Sequence, residues 1–157
     1  MNAVAAALVS IVPVVVAALL GRTVTRQNID GWYAHLVKPA FNPPNWIFAP
    51  VWALLYIAMA YALFRVLRSG AQDWLATAVT LFMVQLALNA AWSWTFFGTR
   101  SPRLGLVVIG ALWVGIAATA SAFWKVDPLA SVLLAPYLAW VSFAGLLNWE
   151  IAKLNPE

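Results

Sequence analysis

The chain has 157 residues, of which 64% are hydrophobic and 9% charged, and its formal net charge is +4. So little polar surface cannot coat a water-soluble globule, which excludes the ordinary soluble classes. The chain contains no cysteine, so disulfides, thiolate metal sites and thiol nucleophiles are excluded as well. Its charged residues and His35 leave five long uncharged runs, at 1–21, 39–64, 74–99, 104–124 and 128–149.

Each uncharged run is long enough to cross the roughly 30 Å of a membrane interior as a helix of about 20 residues. The runs are continuously apolar and rich in alanine and leucine, without the alternation of a lipid-facing barrel strand. We therefore predict an all-α integral membrane protein with a single transmembrane domain over 1–157. The predicted five-helix bundle has helices at about 3–21, 44–67, 74–98, 104–124 and 128–151.

The basic residues predict the orientation of the bundle. With five crossings, six lysines and arginines flank one side of the membrane and three flank the other. Because cytoplasmic loops carry the excess of such residues, we predict a multi-pass protein with a cytoplasmic C-terminus, whose charges contact lipid rather than nucleic acid. The six are Arg22, Arg26, Lys38, Arg100, Arg103 and Lys153, and the three are Arg65, Arg68 and Lys125.

The connection between the first two predicted helices is longer than the others and runs from Arg22 to about Pro43. A connection of about 20 residues inside a compact bundle is usually functional or disordered. This one combines prolines with aromatic side chains, so it can fold back on the bundle and hold a shape. We predict a lid, and the alternative is an amphipathic segment lying in the membrane interface. The aromatic residues are Trp32, Tyr33, Phe41 and Trp46.

Three polar-tipped side chains are predicted to lie deep in the membrane at one level. Counted from the helix ends nearest the long loop, Trp52, Asn89 and Trp140 lie eight or nine residues inside, which is about 12–14 Å. Helical spacing places Tyr56 beside Trp52 and Trp92 beside Asn89. A concave aromatic site with few polar tips suits a flat hydrophobic ligand. The alternative is a bundle core, in which tryptophan fills space and asparagine bonds between helices.

On the fifth predicted helix, Ala144 and Leu147 continue the stripe begun by Trp140, which leaves a small residue beside the large ring. No charged residue lies deep in a predicted span, and this disfavours an ion or proton pump. His35 has no second histidine with which to bind a metal, and no nucleophilic triad or carboxylate pair is present. We therefore predict neither metal ligands nor dedicated catalytic residues.

Five short blocks lie in order along predicted helices 2, 3 and 5 and the loop before them. They are KPAFNPPNW at 38–46, PVW at 50–52, QLALN at 85–89, FFG at 96–98 and PYLAW at 136–140. Together with the chain length and the helix count, these blocks resemble the translocator protein family. The family is also known as the tryptophan-rich sensory proteins or the peripheral-type benzodiazepine receptors.

The resemblance implies a five-helix bundle that binds porphyrins such as protoporphyrin IX in a pocket under the first loop. The porphyrin would be a ligand rather than a cofactor. The resemblance also implies synthetic isoquinoline or benzodiazepine ligands, and a homodimer as in bacterial members. Positions matching Trp52, Asn89, Trp92 and Trp140 belong to the family's pocket, and our predicted ligand-binding set adds Tyr33, Phe48, Tyr56, Ala144 and Leu147.

The predicted function is that of a receptor or carrier for tetrapyrroles, with a sensory or transport role. One alternative is an enzyme that degrades porphyrin in light and oxygen, in which Trp52 and Trp140 would be the electron partners. Another is a structural or assembly role, in which the deep tryptophans only pack. Sterol binding is in doubt, because Trp149 occupies the tyrosine position of the sterol-binding pattern.

Overall fold

Helices account for all regular structure in this protein, and the computed structural model describes residues 1–157. Five segments are long and apolar enough to cross a membrane, and no strand is present. The prediction of an all-α membrane bundle is therefore confirmed. In chain order the elements are α1 Ala3–Asn28, a 3₁₀ turn Tyr33–His35, α2 Asn45–Arg68, α3 Leu75–Ser93, a π-helical turn Trp94–Gly98, α4 Pro102–Val126, α5 Pro128–Val132 and α6 Ala135–Leu154.

The outer surface of the bundle is apolar, as a lipid-facing surface must be. Only 38 of the 157 residues are buried, and Leu8, Leu54 and Val107, each within a span, are more than half exposed. Such a surface would aggregate in water but is stable in hydrocarbon. The exposed faces therefore show which side of each helix meets lipid.

The first helix extends to Asn28, beyond the predicted end at about residue 21. Its buried residues recur every three or four positions from Ala6 through Val24 to Asn28, so one face continues to pack on the bundle past the exposed Arg22. Exposed arginines do not end a helix whose opposite face is still buried. The first loop is accordingly shorter than predicted, and it begins only after Asn28.

The fifth span is interrupted rather than continuous. A two-residue turn, Leu133–Leu134, separates α5 from α6. Pro136 lies in the first turn of α6, where no intrahelical partner is available for the N–H that proline lacks. Inside a continuous helix, the same proline would remove a backbone hydrogen bond and clash with the preceding turn. The single helix predicted at 128–151 is thus two helices, joined at this turn.

The helices close into a ring that has one loosely packed seam. α1 packs on α2 and α3, α3 packs on α4, and α4 packs on α6. α2 contacts the fifth span mainly through the short α5, where Arg65 Nε and Asp127 Oδ2 form an ion pair at 2.9 Å. The backbones of α2 and α6 lie too far apart for close helix packing. We call this gap the α2–α6 seam; it contains the rings of Phe48, Trp52, Tyr137 and Trp140.

α4 approaches its neighbours closely at Gly105. A methyl group at this position would lie 2.9 Å from a ring carbon of Phe96 and 3.0 Å from the side-chain oxygen of Asn148. Gly110 lies on the same helix, and a methyl group there would have nothing within 4 Å. Gly105 therefore serves close packing, whereas Gly110 does not.

Replacing Gly105 by alanine is expected to lower the free energy of unfolding by about 1–3 kcal/mol, because the ring and the amide must move to admit the methyl group. Gly110→Ala is the matched control: its methyl group meets nothing, so the free energy of unfolding should stay the same or rise by up to about 1 kcal/mol through the helix preference of alanine. Unfolding of the two variants in detergent measures both effects. Equal stability of the two variants would show that the contact at Gly105 is not tight.

Candidate ligand-binding site

A chain of hydrogen bonds links three spans in the interior of the bundle. The Tyr56 hydroxyl donates to Asn89 Oδ1 at 2.8 Å, and Asn89 Nδ2 donates to the Tyr137 hydroxyl oxygen at 2.8 Å. Tyr137 in turn donates to Gln85 Oε1 at 2.9 Å. Asn89, Tyr137 and Gln85 are each at most 3% exposed. The chain therefore holds α2, α3 and α6 together at one level of the bundle.

Asn89 has a structural role in this arrangement. Both ends of its amide are bonded to tyrosine hydroxyls, as expected for an interhelical bond in a bundle core. A ligand could bond only to what these two bonds leave free on the amide, namely the second lone pair of Oδ1 and the second N–H of Nδ2. Gln85 ends the chain, and its Nε2 is buried without a partner. Because an unpaired buried donor costs about 1–3 kcal/mol, an additional acceptor at Gln85 would be stabilising.

Aromatic rings fill the α2–α6 seam. The Trp140 ring lies 5.9 Å from Phe48 and 5.5 Å from Phe143. Farther from the loop, the Trp52 ring lies 6.2 Å from Tyr137 in an edge-to-face contact. Because rings rather than backbones join α2 to α6, rotation of side chains can widen the seam without unfolding either helix. The seam is therefore the part of the bundle best suited to admit a flat molecule.

Trp140 carries the one buried polar group of the seam that has no partner. Its indole Nε1 is buried and makes no hydrogen bond, although the ring as a whole is half-buried. An indole nitrogen can only donate, so only an acceptor can satisfy it. The hydroxyls of Tyr56 and Tyr137 already donate within the hydrogen-bonded chain. The seam thus offers an unpaired donor between aromatic rings.

Trp92 is fixed by contacts to α4 and α6. Its Nε1 donates to Asn148 Oδ1 at 3.0 Å, and Asn148 Nδ2 donates to the Pro102 carbonyl oxygen at 2.7 Å. Its ring stacks on Phe96 at 5.6 Å. The polar atom of Trp92 is therefore occupied, and a ligand near this residue would meet its ring.

The first loop, residues 29–44, packs its first half on the end of the third span. Tyr33 is buried, and its ring lies 5.5 Å from Phe97. The Tyr33 hydroxyl donates to Asn42 Oδ1 at 3.2 Å, which fastens the loop to itself. Burial raises the pKa of Tyr33 above its ordinary value, while the hydrogen bond to Asn42 opposes the rise. The hydroxyl therefore stays protonated at neutral pH and can donate to Asn42.

The other predicted residues are buried in apolar clusters. Ala144 is buried in the main core, against which Trp140 packs, and Leu147 is buried with Tyr33 near the loop. The predicted aromatic and aliphatic side chains thus divide between two apolar clusters, and Trp92 packs against both of them. Their contact with a ligand stays a prediction.

Open grooves on the outer face of the bundle involve none of the predicted ligand residues. One of about 360 Å³ and another of about 300 Å³ lie between α4 and α6. Trp113, which lies outside the sequence blocks, borders the first groove, and its Nε1 donates to Ser142 Oγ at 2.9 Å. Trp149 borders both grooves. Both tryptophans are exposed, so these grooves face lipid rather than the interior.

Several residues of the site are absent from the predicted set, namely Gln85, Phe96, Tyr137, Phe143 and Asn148. Tyr137 and Phe143 lie three residues on either side of Trp140, so helical spacing could have assigned them to the same face. The hydrogen bond from Trp92 to Asn148 could not be predicted from helical spacing, because the two residues lie on different helices. Helical periodicity therefore finds neighbours on one helix but not partners across the bundle.

The fold and the site define a class: a multi-pass helical membrane protein with an aromatic candidate site beside a folded loop. The model of the TspO/MBR family matches residues 9–154. A tryptophan-rich protein TspO from Chlorobaculum tepidum is 49% identical over 137 residues, which is 87% of either chain. The translocator protein of Bos taurus is 43% identical over 87% of this chain and 82% of its own. A tryptophan-rich sensory protein from Cereibacter sphaeroides is 39% identical over 80% of this chain and 78% of its own.

The chain belongs to the TspO/MBR family. This membership confirms the resemblance carried by the sequence blocks. With the five spans, it also establishes an integral, multi-pass membrane protein.

Tyr137→Phe is expected to lower the free energy of unfolding by about 1–3 kcal/mol. Without the hydroxyl, the buried Asn89 Nδ2 loses its acceptor and the buried Gln85 Oε1 loses its donor. Tyr56→Phe removes one hydrogen bond and should cost less, about 0.5–1.5 kcal/mol. Chemical denaturation in detergent ranks the two variants. A larger effect for Tyr56→Phe would contradict the central position of Tyr137.

Proposed function

We propose that the protein binds a flat, largely apolar ligand of the tetrapyrrole class, such as protoporphyrin IX, in the α2–α6 seam. The observation that carries this proposal is the Trp140 indole N–H, which is buried and unpaired in a ring flanked by Phe48 and Phe143. A tetrapyrrole supplies a wide ring system for aromatic contacts and acceptor atoms for the indole.

The charges around the site favour a ligand that has its acidic groups at one edge. An ionised carboxylate at the depth of Trp140 would be costly, so a neutral ring nitrogen or carbonyl is the expected partner of the indole. Lys38 lies in the first loop, with its Nζ 4.8 Å from the Tyr33 ring centroid. The carboxylates of a bound porphyrin are therefore expected at the loop, where Lys38 and water can stabilise them.

The role that follows is that of a receptor or carrier. Relatives of this chain are named a translocator protein in Bos taurus and a tryptophan-rich sensory protein in Cereibacter sphaeroides. No charged residue lies among the rings of the seam, and the ion pair of Arg65 and Asp127 lies only at its far end, so the seam suits an apolar ring rather than an ion. Transport and sensing would both begin with the same binding step.

A structural role is the second candidate, and the hydrogen bonds of Asn89 favour it. Both ends of that amide are already bonded within the protein, as a purely structural core requires. The two functions differ in their response to ligand. A molecule that binds only the folded protein raises the unfolding temperature, whereas a purely structural bundle shows no shift with protoporphyrin IX.

Trp140→Phe is expected to weaken protoporphyrin IX binding about tenfold, because the ring contacts remain but the N–H donor is lost. Quenching of intrinsic tryptophan fluorescence during titration measures the affinity.

Trp113→Phe is the matched control, since Trp113 lies on the outer face and donates to Ser142. Its affinity should equal that of the wild-type protein. Equal affinity of Trp140→Phe and the wild-type protein would exclude the indole N–H as a ligand contact.

A further inference from the structure

Asn155 pairs with the first loop through both of its amide atoms. Its Oδ1 accepts from the Val37 N–H at 2.9 Å, and its Nδ2 donates to the Val37 carbonyl oxygen at 2.8 Å. Asn155 directly follows the end of α6, and the same Nδ2 lies 2.9 Å from the Ile151 carbonyl oxygen. One side chain thus joins the end of the fifth span to the backbone of the loop.

These two bonds are the only hydrogen bonds between residues 29–44 and a span other than the two that the loop connects. The other side-chain bonds of the loop stay within it, as in Tyr33 to Asn42 and Lys38 to the Leu36 carbonyl. The attachment of the loop to α6 by hydrogen bonds therefore depends on Asn155.

The loop is anchored unequally along its length. Its first half is held by aromatic contacts, in which Trp32 lies 5.5 Å from Phe96 and Tyr33 is only 4% exposed. Its second half is exposed, with Val37 at 56% and Phe41 at 45%. Beyond Val37, the loop touches α6 where the Phe41 ring lies 6.2 Å from Phe143. Lifting of the second half therefore requires loss of the bond from Tyr33 to Asn42 as well, while the aromatic contacts of the first half stay in place.

The position of Phe143 connects this attachment to the seam. Phe143 also contacts the ring of Trp140 at 5.5 Å, so the exposed half of the loop rests beside the loop end of the α2–α6 seam. Lifting that half would remove the Phe41 ring from Phe143 and uncover this end of the seam. The opposite end is fastened by the ion pair of Arg65 and Asp127.

We propose that Asn155 is a positioning residue that latches the first loop over the α2–α6 seam and thereby sets the rate of ligand exchange. The part of this proposal that concerns the rate of ligand exchange rests on the proposed function. Two exposed hydrogen bonds of ordinary strength correspond to about a tenfold shift in the equilibrium between closed and open loop. The latch acts on access, because Asn155 holds the middle of the loop at Val37 and follows the end of α6, away from Trp140.

Hydrogen exchange of the ligand-free, full-length protein in lipid nanodiscs tests the latch itself. In Asn155→Ala, the Val37 amide, which is bonded only to Asn155, should exchange about tenfold faster, whereas the His35 amide, bonded to the Trp32 carbonyl oxygen, should keep the wild-type rate. Asn155→Asp keeps the acceptor for the Val37 N–H but loses the donor, so its effect should be intermediate.

Lys153→Ala is the matched control, because the Lys153 side chain is exposed and contacts only Glu150. Its loop amides should exchange as in the wild-type protein. Unchanged exchange at Val37 in Asn155→Ala, or an equal acceleration in Lys153→Ala, would overturn the latch.

Stopped-flow mixing with protoporphyrin IX tests the effect on ligand exchange. If the ligand passes only through the open loop, Asn155→Ala speeds association and dissociation alike, about tenfold each, and leaves the dissociation constant within about twofold. A variant that merely damages the site would instead show faster dissociation and a weaker affinity.

The outcomes separate the two proposals. Faster exchange of the loop amides with unchanged ligand rates would overturn the gating role of Asn155. Absence of porphyrin binding to the wild-type protein would refute the proposed function instead, and the exchange at Val37 would then decide whether Asn155 latches the loop.

Discussion

The chain of hydrogen bonds from Tyr56 through Asn89 to Tyr137 is the interaction on which the rest of the bundle depends. Helices in lipid gain little from apolar contact with one another, because the lipid is equally apolar. Close packing and interhelical hydrogen bonds must therefore hold the helices in place. This chain fixes α2, α3 and α6 at one depth, although the backbones of α2 and α6 do not pack closely.

The seam between α2 and α6 is consequently closed by different means at its two ends. At one end, α5 and the ion pair of Arg65 and Asp127 hold α2 to the fifth span. At the other end, the contacts are between aromatic rings, Phe48 with Trp140 and Phe41 of the loop with Phe143. Aromatic contacts with a loop break and re-form at a lower cost in free energy than the contacts of a packed helix pair. The bundle therefore has one end held by an ion pair and helix packing, and another held by aromatic contacts with the loop.

The spans could be predicted from the sequence because a charge in hydrocarbon is costly, so uncharged runs report membrane crossings. The same argument misplaced the end of α1, since Arg22 lies on the exposed face while Val24 on the opposite face is still buried. Counting residues along helices placed Trp52, Asn89 and Trp140 at one level. The structure joins Trp52 and Asn89 through Tyr56 and Tyr137, whereas Trp140 lies nearer the loop, against Phe48. An interhelical hydrogen bond of Asn89 was one of the two alternatives, but its tyrosine partners and the unpaired N–H of Trp140 were not predictable, because they depend on how far apart the helices lie and how each is rotated.

The π-helical turn at Trp94–Gly98 places two consecutive residues, Phe96 and Phe97, in the interior. Consecutive side chains of an α-helix point about 100° apart, so a wider turn helps to bring both rings to the buried side. Both rings contact Trp32 and Tyr33 of the loop. Loss of a single residue from this turn would restore an ordinary helix and rotate one ring away from the loop. The number of residues in this segment, and not only their apolar character, therefore determines whether the loop has a surface on which to rest.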